Sequence, residues 1–387
     1  MPSEEKPYRV YRGGRVKGKV PTVPRPQRTP RPDGGGPGKA PKAPGRRRRN
    51  YRLWFAIVLG VLLAWLTAWT LAGYLTFRNG VKAANARLPR GVHAQLSSQG
   101  GLLLTHSTTI LLLGTDTGPG RRGLRHSDSI MLVRTDPHHH RLAYLSIPRD
   151  LRVDIPGHGS DKINAAYQIG GAPLAIKTVR NLTGMDVNHV VIVDFAHFEK
   201  LIDAIGGIDI NVPAPIHSDR FDCPYPPSRC QSWTGWRFAK GRQHMDGHRA
   251  LIYSRVRVNQ LNPADNDITR AERQQQVTQA IAGKLASVGT YFDLPFIGDD
   301  LLRPLATDLS PGQMLQLGWV YWRAGSGKAL HCRLGGQPLG GYIIGEAEEN
   351  LAVISMVRGQ SAPQPPPPGS GTLGAGCVVG HHTLGVR

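Results

Sequence analysis

The sequence is short of acid. It has 27 Asp and Glu against 48 Lys and Arg, a formal net charge of +21. Such a balance suggests a nucleic-acid partner, but the excess is local. Residues 1–52 hold 16 Lys/Arg and 3 Asp/Glu, so most of it sits in one arm. Cysteine is also scarce, with four in 387 residues and no Cys-x-x-Cys pair, which argues against a zinc site. There is no Gly-x-Ser-x-Gly element and no Gly-x-x-x-x-Gly-Lys-Ser/Thr loop. A serine nucleophile elbow and a Walker-type phosphate cradle are therefore not indicated. No internal repeat is visible, and no helix-turn-helix supports a DNA-regulatory reading.

Two further segments define the architecture. The arm, residues 1–52, is rich in Pro and Gly and cannot bury enough apolar area to offset its ordering, so it reads as disordered. Residues 53–77 then run for 25 positions without a charge. At 1.5 Å per residue that is about 37 Å, enough to cross a hydrocarbon core of about 30 Å with some tilt. It is too long for a cleaved signal peptide. Trp54 and Tyr74 lie near its ends as interface anchors. Arg46 to Arg49 and Arg52 precede it, while only Arg78, Lys82 and Arg87 follow closely. The bias places the N-terminus in the cytoplasm and the rest of the chain outside.

An outer compartment permits disulfides. Cys223 and Cys230 enclose the Pro-rich loop Cys-Pro-Tyr-Pro-Pro-Ser-Arg-Cys and are expected to pair; Cys332 and Cys377 remain as a second pair by elimination. Residues 78–105 read as a membrane-proximal connector, helical at first. Residues 106–358 form the folded domain and 359–387 a Pro/Gly-rich tail, which Cys377 ties back onto it. Within the domain, 108–114, 129–135, 141–148, 189–195 and 207–213 read as strands. Residues 172–184, 195–207 and 269–288 read as helices, the last with Thr269 as N-cap. The alternation predicts an α/β fold, an α-β-α layered domain around a central mixed sheet.

Chemistry-bearing residues cluster at strand and helix ends. Asp116 follows one strand and Asp128 opens the next, so the two acids reach one sheet edge if the strands are neighbours. Two oxygen ligands with open water positions suit Mg²⁺, or Mn²⁺, beside a phosphate; the alternative is a pair of turn-capping carboxylates. Arg149 and Asp150 follow a strand at a turn set by Pro148. Arg255 and Arg257 share a face if extended. Arg270, Arg273 and Gln274 share a face at the start of a helix, near its positive end. Four guanidiniums on adjacent segments repel unless an anion is shared, and pyrophosphate is the natural guest for such forks. The alternative is a solvated basic patch balanced by Asp265, Asp267 and Glu272. His138 to His140 read as an exposed polar turn rather than a metal site.

These residues lie in stretches that resemble the LytR-CpsA-Psr family of cell-wall glycopolymer transferases. They are Ile-Leu-Leu-Leu-Gly-Thr-Asp (110–116), the Ser-Asp-Ser-Ile stretch from 127, Ser-Ile-Pro-Arg-Asp within 145–157, and Lys-Ile-Asn-Ala-Ala-Tyr from 162. Three more follow, in 193–212, in 241–257 and in 267–277. They occur in the family's order over 108–285. The resemblance implies that Asp116 and Asp128 bind magnesium, and that Arg149, Arg255, Arg257, Arg270, Arg273 and Gln274 grip a pyrophosphate. It implies transfer of a glycopolymer from a polyprenyl-pyrophosphate carrier to peptidoglycan, with the lipid in an apolar lipid-binding channel between sheet and helices. Family members carry an Arg shortly after the first acid, where this chain has Thr117, Gly118 and Pro119. Arg121, Arg122 or Arg125 is then expected to supply that charge, and Arg125 joins Asp150 among the substrate-binding residues. Hydrolysis of the carrier, with water as acceptor, and a wall-polyanion anchor without chemistry are the rival readings. The abundance of Arg, Gly and Pro suits an actinobacterial source. Oligomeric state is not legible.

Overall fold

The run Thr108 to Leu113 is apolar at nearly every position, so a strand made from it must be covered on both faces. The computed structural model describes residues 51–116, 126–262, 267–285, 287–368 and 373–380. It begins with helix α1 (Tyr51–Ala86), whose apolar part is long enough to cross a membrane. The arm before residue 51 lies outside the described residues. Strand β1 (Thr108–Asp116) is followed by β2 (His126–Asp136) and β3 (Arg141–Ile147), which pair antiparallel in sequence. The turn between β2 and β3 holds His138 to His140, as expected.

After β3 comes a hairpin of β4 (Arg152–Ile155) and β5 (Gly159–Lys162), then helix α2 (Ile163–Thr183). Strand β6 (His189–Asp194) returns parallel to β1 and leads into α3 (Phe195–Ala204). Off the main sheet, β7 (Ile208–Val212) pairs with β10 (Gly241–Met245). Between them β8 (Ile216–His217) pairs with β9 (Arg237–Phe238) around a loop with the short α4 (Pro227–Cys230). Helices α5 (Gly247–Arg255), α6 (Asp267–Leu285) and α7 (Val288–Leu302) precede β11 (Leu305–Thr307), which pairs with β6. Helix α8 (Pro311–Ala324) leads to β12 (Leu330–Arg333), parallel to β3. Last come the hairpin β13 (Gln337–Leu339) and β14 (Tyr342–Ile344), helix α9 (Ala347–Arg358) and β15 (Gly376–Val379).

Among the described residues the main sheet has seven strands in the order β11-β6-β1-β2-β3-β12-β15, mixed in direction. Alternate residues serve its two faces, as a period of two requires. Leu111, Leu113, Ile130, Leu132, Leu145 and Ile147 join one buried cluster with residues of α2 and α9. Met131, Leu142 and Tyr144 join another with Val320 and Ala324 of α8. The layered α/β arrangement follows from this double covering.

Of the boundaries that differ from expectation, three helix ends do so for a local reason. Helix α2 starts at Ile163 rather than 172, because it is two helices across a break at Gly170 and Gly171. Gly171 has φ +62° and ψ −158°, a conformation that requires glycine. Helix α3 stops at Ala204, before Gly206 and Gly207 turn with positive φ. Helix α6 runs from Asp267 to Leu285, so Thr269 lies inside it and does not cap it. Ser287 instead caps α7, its hydroxyl accepting from Thr290 N–H.

Candidate active site

The strands β1 and β6, and likewise β3 and β12, run parallel and end at one edge of the sheet. Asp116 and Asp194 close β1 and β6 there. Asp128 reaches the same edge from β2, through a break in register. Gly114 pairs with Ser129 and Thr115 with Ser127, so Asp128 is the extra residue of a β-bulge. Bulges take a residue out of the regular alternation and recur beside active sites. The backbone thus brings Asp116, Asp128 and Asp194 to one edge of the sheet, on three adjacent strands. Mg²⁺ keeps several waters and takes its remaining oxygens from carboxylates and substrate phosphate. Arg121, Arg122 and Arg125 lie outside the described residues.

Arg149 stands just past β3, at the turn that follows Pro148. Its Nε donates to Asp150 Oδ2 at 3.2 Å, and Lys162 Nζ donates to Asp150 Oδ1 at 2.8 Å. Burial pushes the Asp150 carboxyl up, but the Lys162 hydrogen bond and the charges of Arg149 and Lys162 outweigh it and hold it below its ordinary 3.8. The sequence reading did not include Lys162; its position at the end of the β4–β5 hairpin brings it back to Asp150. A depressed carboxyl stabilises the fold above the unfolded value, and that stability is lost as pH falls through the lower folded value. Asp150→Asn is therefore expected to flatten the loss of thermal stability below pH 3.8 and to leave its slope near neutrality unchanged, as followed by circular dichroism. An unchanged acid limb would remove Asp150 from this account.

The second half of the site is set by two helices. Asp246 caps α5, accepting from Arg249 N–H at 2.8 Å, and Ala250 to Ser254 are buried. Arg255 is the last residue of that helix and Arg257 lies beyond it in extended chain, exposed. The extended arrangement in which the two would share a face is thus not adopted, because capping and burial make the first residue of the pair helical. Arg255 Nη1 is paired with Asp222, the residue just before the loop that the Cys223–Cys230 disulfide closes. Arg273 Nη2 donates to Val256 O, tying α6 to the segment between the two arginines.

Helix α6 crosses the sheet antiparallel to β12. Gln279 meets His331, and Gln275 Nε2 donates to Ser146 Oγ at 2.6 Å. Glu272 Oε1 lies 3.6 Å from Arg333 Nη1. Stepping back along α6 from Gln279 through Gln275 to Glu272 thus moves along β12 from His331 to Arg333. The N-terminus of α6 therefore lies at the edge where Asp116, Asp128 and Arg149 stand. Arg270 and Arg273 are only 7% and 5% exposed, so these two are not part of a solvated patch, whereas Arg257 is exposed. Gln274 is half-buried on the same turn.

Sequence reasoning missed Gln275, Arg333 and the partner of Glu272. The three glutamines 274 to 276 point about 100° apart, so each has its own environment. Gln275 pins the helix to the sheet and Gln276 accepts from Tyr253 OH at 2.7 Å. Arg333 is buried, donates from Nε to Gly374 O at 2.9 Å, and is pushed down to about 10 by burial in spite of Glu272. Its neighbour Cys332 is joined to Cys377, so the second expected disulfide is present and the C-terminal strand backs this arginine.

Known proteins share this architecture. A polyisoprenyl-teichoic acid–peptidoglycan teichoic acid transferase, TagU of Enterococcus faecalis, is 32% identical over 284 residues, covering 73% of this chain and 87% of that protein. A solved structure of TagT bound to LIIa-WTA matches with 26% identity and a TM-score of 0.52, over 68% of this chain and 93% of that one. A crystal structure of Bacillus subtilis TagV matches with 27% identity and a TM-score of 0.54, over 66% and 97%. The sequence pattern of the LytR_cpsA_psr family fits residues 73–337, more than half the chain. The protein belongs to the LytR-CpsA-Psr family.

Proposed function

We propose that the protein moves a glycopolymer from a polyprenyl-pyrophosphate carrier to a sugar hydroxyl of peptidoglycan, forming a phosphodiester. The observation that carries this reading is the sheet edge just described. There two buried arginines lie on the stretch of α6 that Gln275 and Glu272 fix against Ser146 of β3 and Arg333 of β12, in a chain whose relatives include teichoic acid transferases. Phosphate is the anion that justifies burying such a cluster. N-terminus inside, one span and the domain outside put the site on the side of the wall, and an apolar channel between sheet and helices would take the lipid. The Arg-, Gly- and Pro-rich composition supports an actinobacterial source.

The chemistry is displacement at phosphorus. Mg²⁺ or Mn²⁺ held by Asp116 and Asp128 would neutralise pyrophosphate oxygens when bound. Arg149, Arg270 and Arg273 bind the pyrophosphate and stabilise charge that grows on the departing polyprenyl phosphate. Arg255 and Arg257 flank them, Arg255 exchanging Asp222 for phosphate, and Gln274 and Arg125 contact the same group. Asp150, held ionised by Lys162 and Arg149, orients the attacking hydroxyl. The hydroxyl attacks the phosphorus nearest the polymer, the bond to the bridging oxygen breaks, and the proton leaves to water or the carboxylate.

Arg149→Ala is expected to lower kcat/KM for the carrier at least about tenfold, roughly 1.4 kcal/mol of transition-state stabilisation. Equal activity would remove Arg149 from the site. The reading itself is tested with full-length protein, a polyprenyl-pyrophosphate oligosaccharide and peptidoglycan oligomers, with and without Mg²⁺. Mass spectrometry should find a phosphodiester-linked product and free polyprenyl phosphate. Cleaved carrier without linkage would support hydrolysis instead, and retained lipid without turnover would support an anchor.

A further inference from the structure

The outer third of α1 packs along α7. Thr70 Oγ1 lies 2.5 Å from the Tyr291 hydroxyl, and Thr76 Oγ1 donates to Leu294 O at 3.2 Å. Gly73 faces Leu294 and Pro295, and Gly80 faces Gly298 and Leu302. A Cβ on Gly80 would come 2.9 Å from the Gly298 carbonyl oxygen, so two glycines permit this approach. Contacts advance in the same direction on both helices, so they run parallel and α7 begins beside the apolar part of α1. At the far end Arg87 donates to the carbonyls of Leu302 and Leu305 and closes α7.

Three of the exposed residues of α7 are large, apolar and aligned. Val288 is 73% exposed, Phe292 41% and Phe296 75%, at spacings of four that form one stripe. Phe296 also sets its ring edge-on against Trp69 of α1, with centroids 5.5 Å apart. Residues 53–72 of α1 make about 30 Å, a full hydrocarbon core, which puts the outer boundary near Trp69 to Tyr74, at the level of the Tyr291 and Phe296 contacts. Exposed Asp293 in mid-helix keeps α7 at headgroup level rather than deeper.

We propose that α7 and the α6–α7 turn lie in the outer-leaflet interface of the membrane, with the Val288, Phe292 and Phe296 stripe among lipid acyl chains beside α1. The occupant is the bilayer, because the stripe continues the surface of the spanning helix itself. Helix α6 then climbs from the membrane to the arginine cluster. From Leu285 back to Arg270 is about 22 Å along its axis, an upper bound on how far a carrier pyrophosphate rises from the interface. The inference rests on α1 spanning the membrane and does not depend on transferase activity.

The test uses full-length protein in phosphatidylcholine–phosphatidylglycerol vesicles. All four native cysteines are in disulfides, so Phe296→Cys or Val288→Cys takes a polarity-sensitive fluorophore alone. Val288 is exposed, so its replacement leaves packing intact; Phe296→Cys gives up the ring contact with Trp69, and position 288 checks it. Lys240→Cys, on the exposed turn between β9 and β10, is the reference. Nitroxide lipids labelled near the headgroup should quench positions 288 and 296 about fivefold more than 240. Aqueous iodide should quench in the opposite order. Iodide quenching of 288 and 296 equal to that of 240, with no lipid quenching, would overturn the proposal.

Discussion

Asp128→Ala is expected to lower transfer at least about a hundredfold, near 3 kcal/mol of barrier, and the residue of activity should need far more Mg²⁺. The size follows from position. Asp128 is the bulge residue on β2 beside the end of β1. In the proposed site its loss would leave one protein ligand for an ion that keeps most of its waters, so affinity and charge placement would fail together. The bulge is a backbone feature, and Asp128→Asn should keep it while removing the charge. Asn and Ala forms with equally low activity and unchanged melting would assign the loss to the carboxylate. Full activity of either at low Mg²⁺ would overturn the assignment.

Replacing Cys332 and Cys377 together with alanine is expected to cost about 4 kcal/mol of stability, from release of a loop of about 45 residues in the unfolded chain. Denaturant unfolding of the two forms measures it. The effect should extend to the site. Strand β15 is paired to β12 through these residues, Cys377 N–H donates to Gln364 O at 2.7 Å, and Gly374 accepts from Arg333. Once the C-terminal strand frays, Arg333 loses an acceptor beside Glu272, and α6 loses a contact next to Arg270 and Arg273. KM for the carrier should rise more than kcat falls. An unfolding midpoint that reducing agent does not move would show that the strand holds without its covalent link.

Some of this was legible without coordinates. Charge segregation marked the arm, an uncharged run of 25 residues marked the span, and alternation of apolar strands with helical stretches marked the layered α/β domain. These are short-range patterns, and the hydrophobic effect acts on them directly. The positions of Asp116 and Arg149 at strand ends, and of Arg270 and Arg273 in the first two turns of α6, were also legible; the roles given to them are proposals. Contacts distant in sequence were not. Lys162 reaches Asp150 only because a hairpin folds back, and Glu272 meets Arg333 because α6 crosses β12. Arg255 is helical because Asp246 caps α5 and buried neighbours hold it. Sequence by itself determined the spanning segment and most of the element types. Tertiary structure decided which charges neutralise one another, which strand carries the bulge and which face of α7 is left exposed, because those depend on packing between segments far apart in the chain.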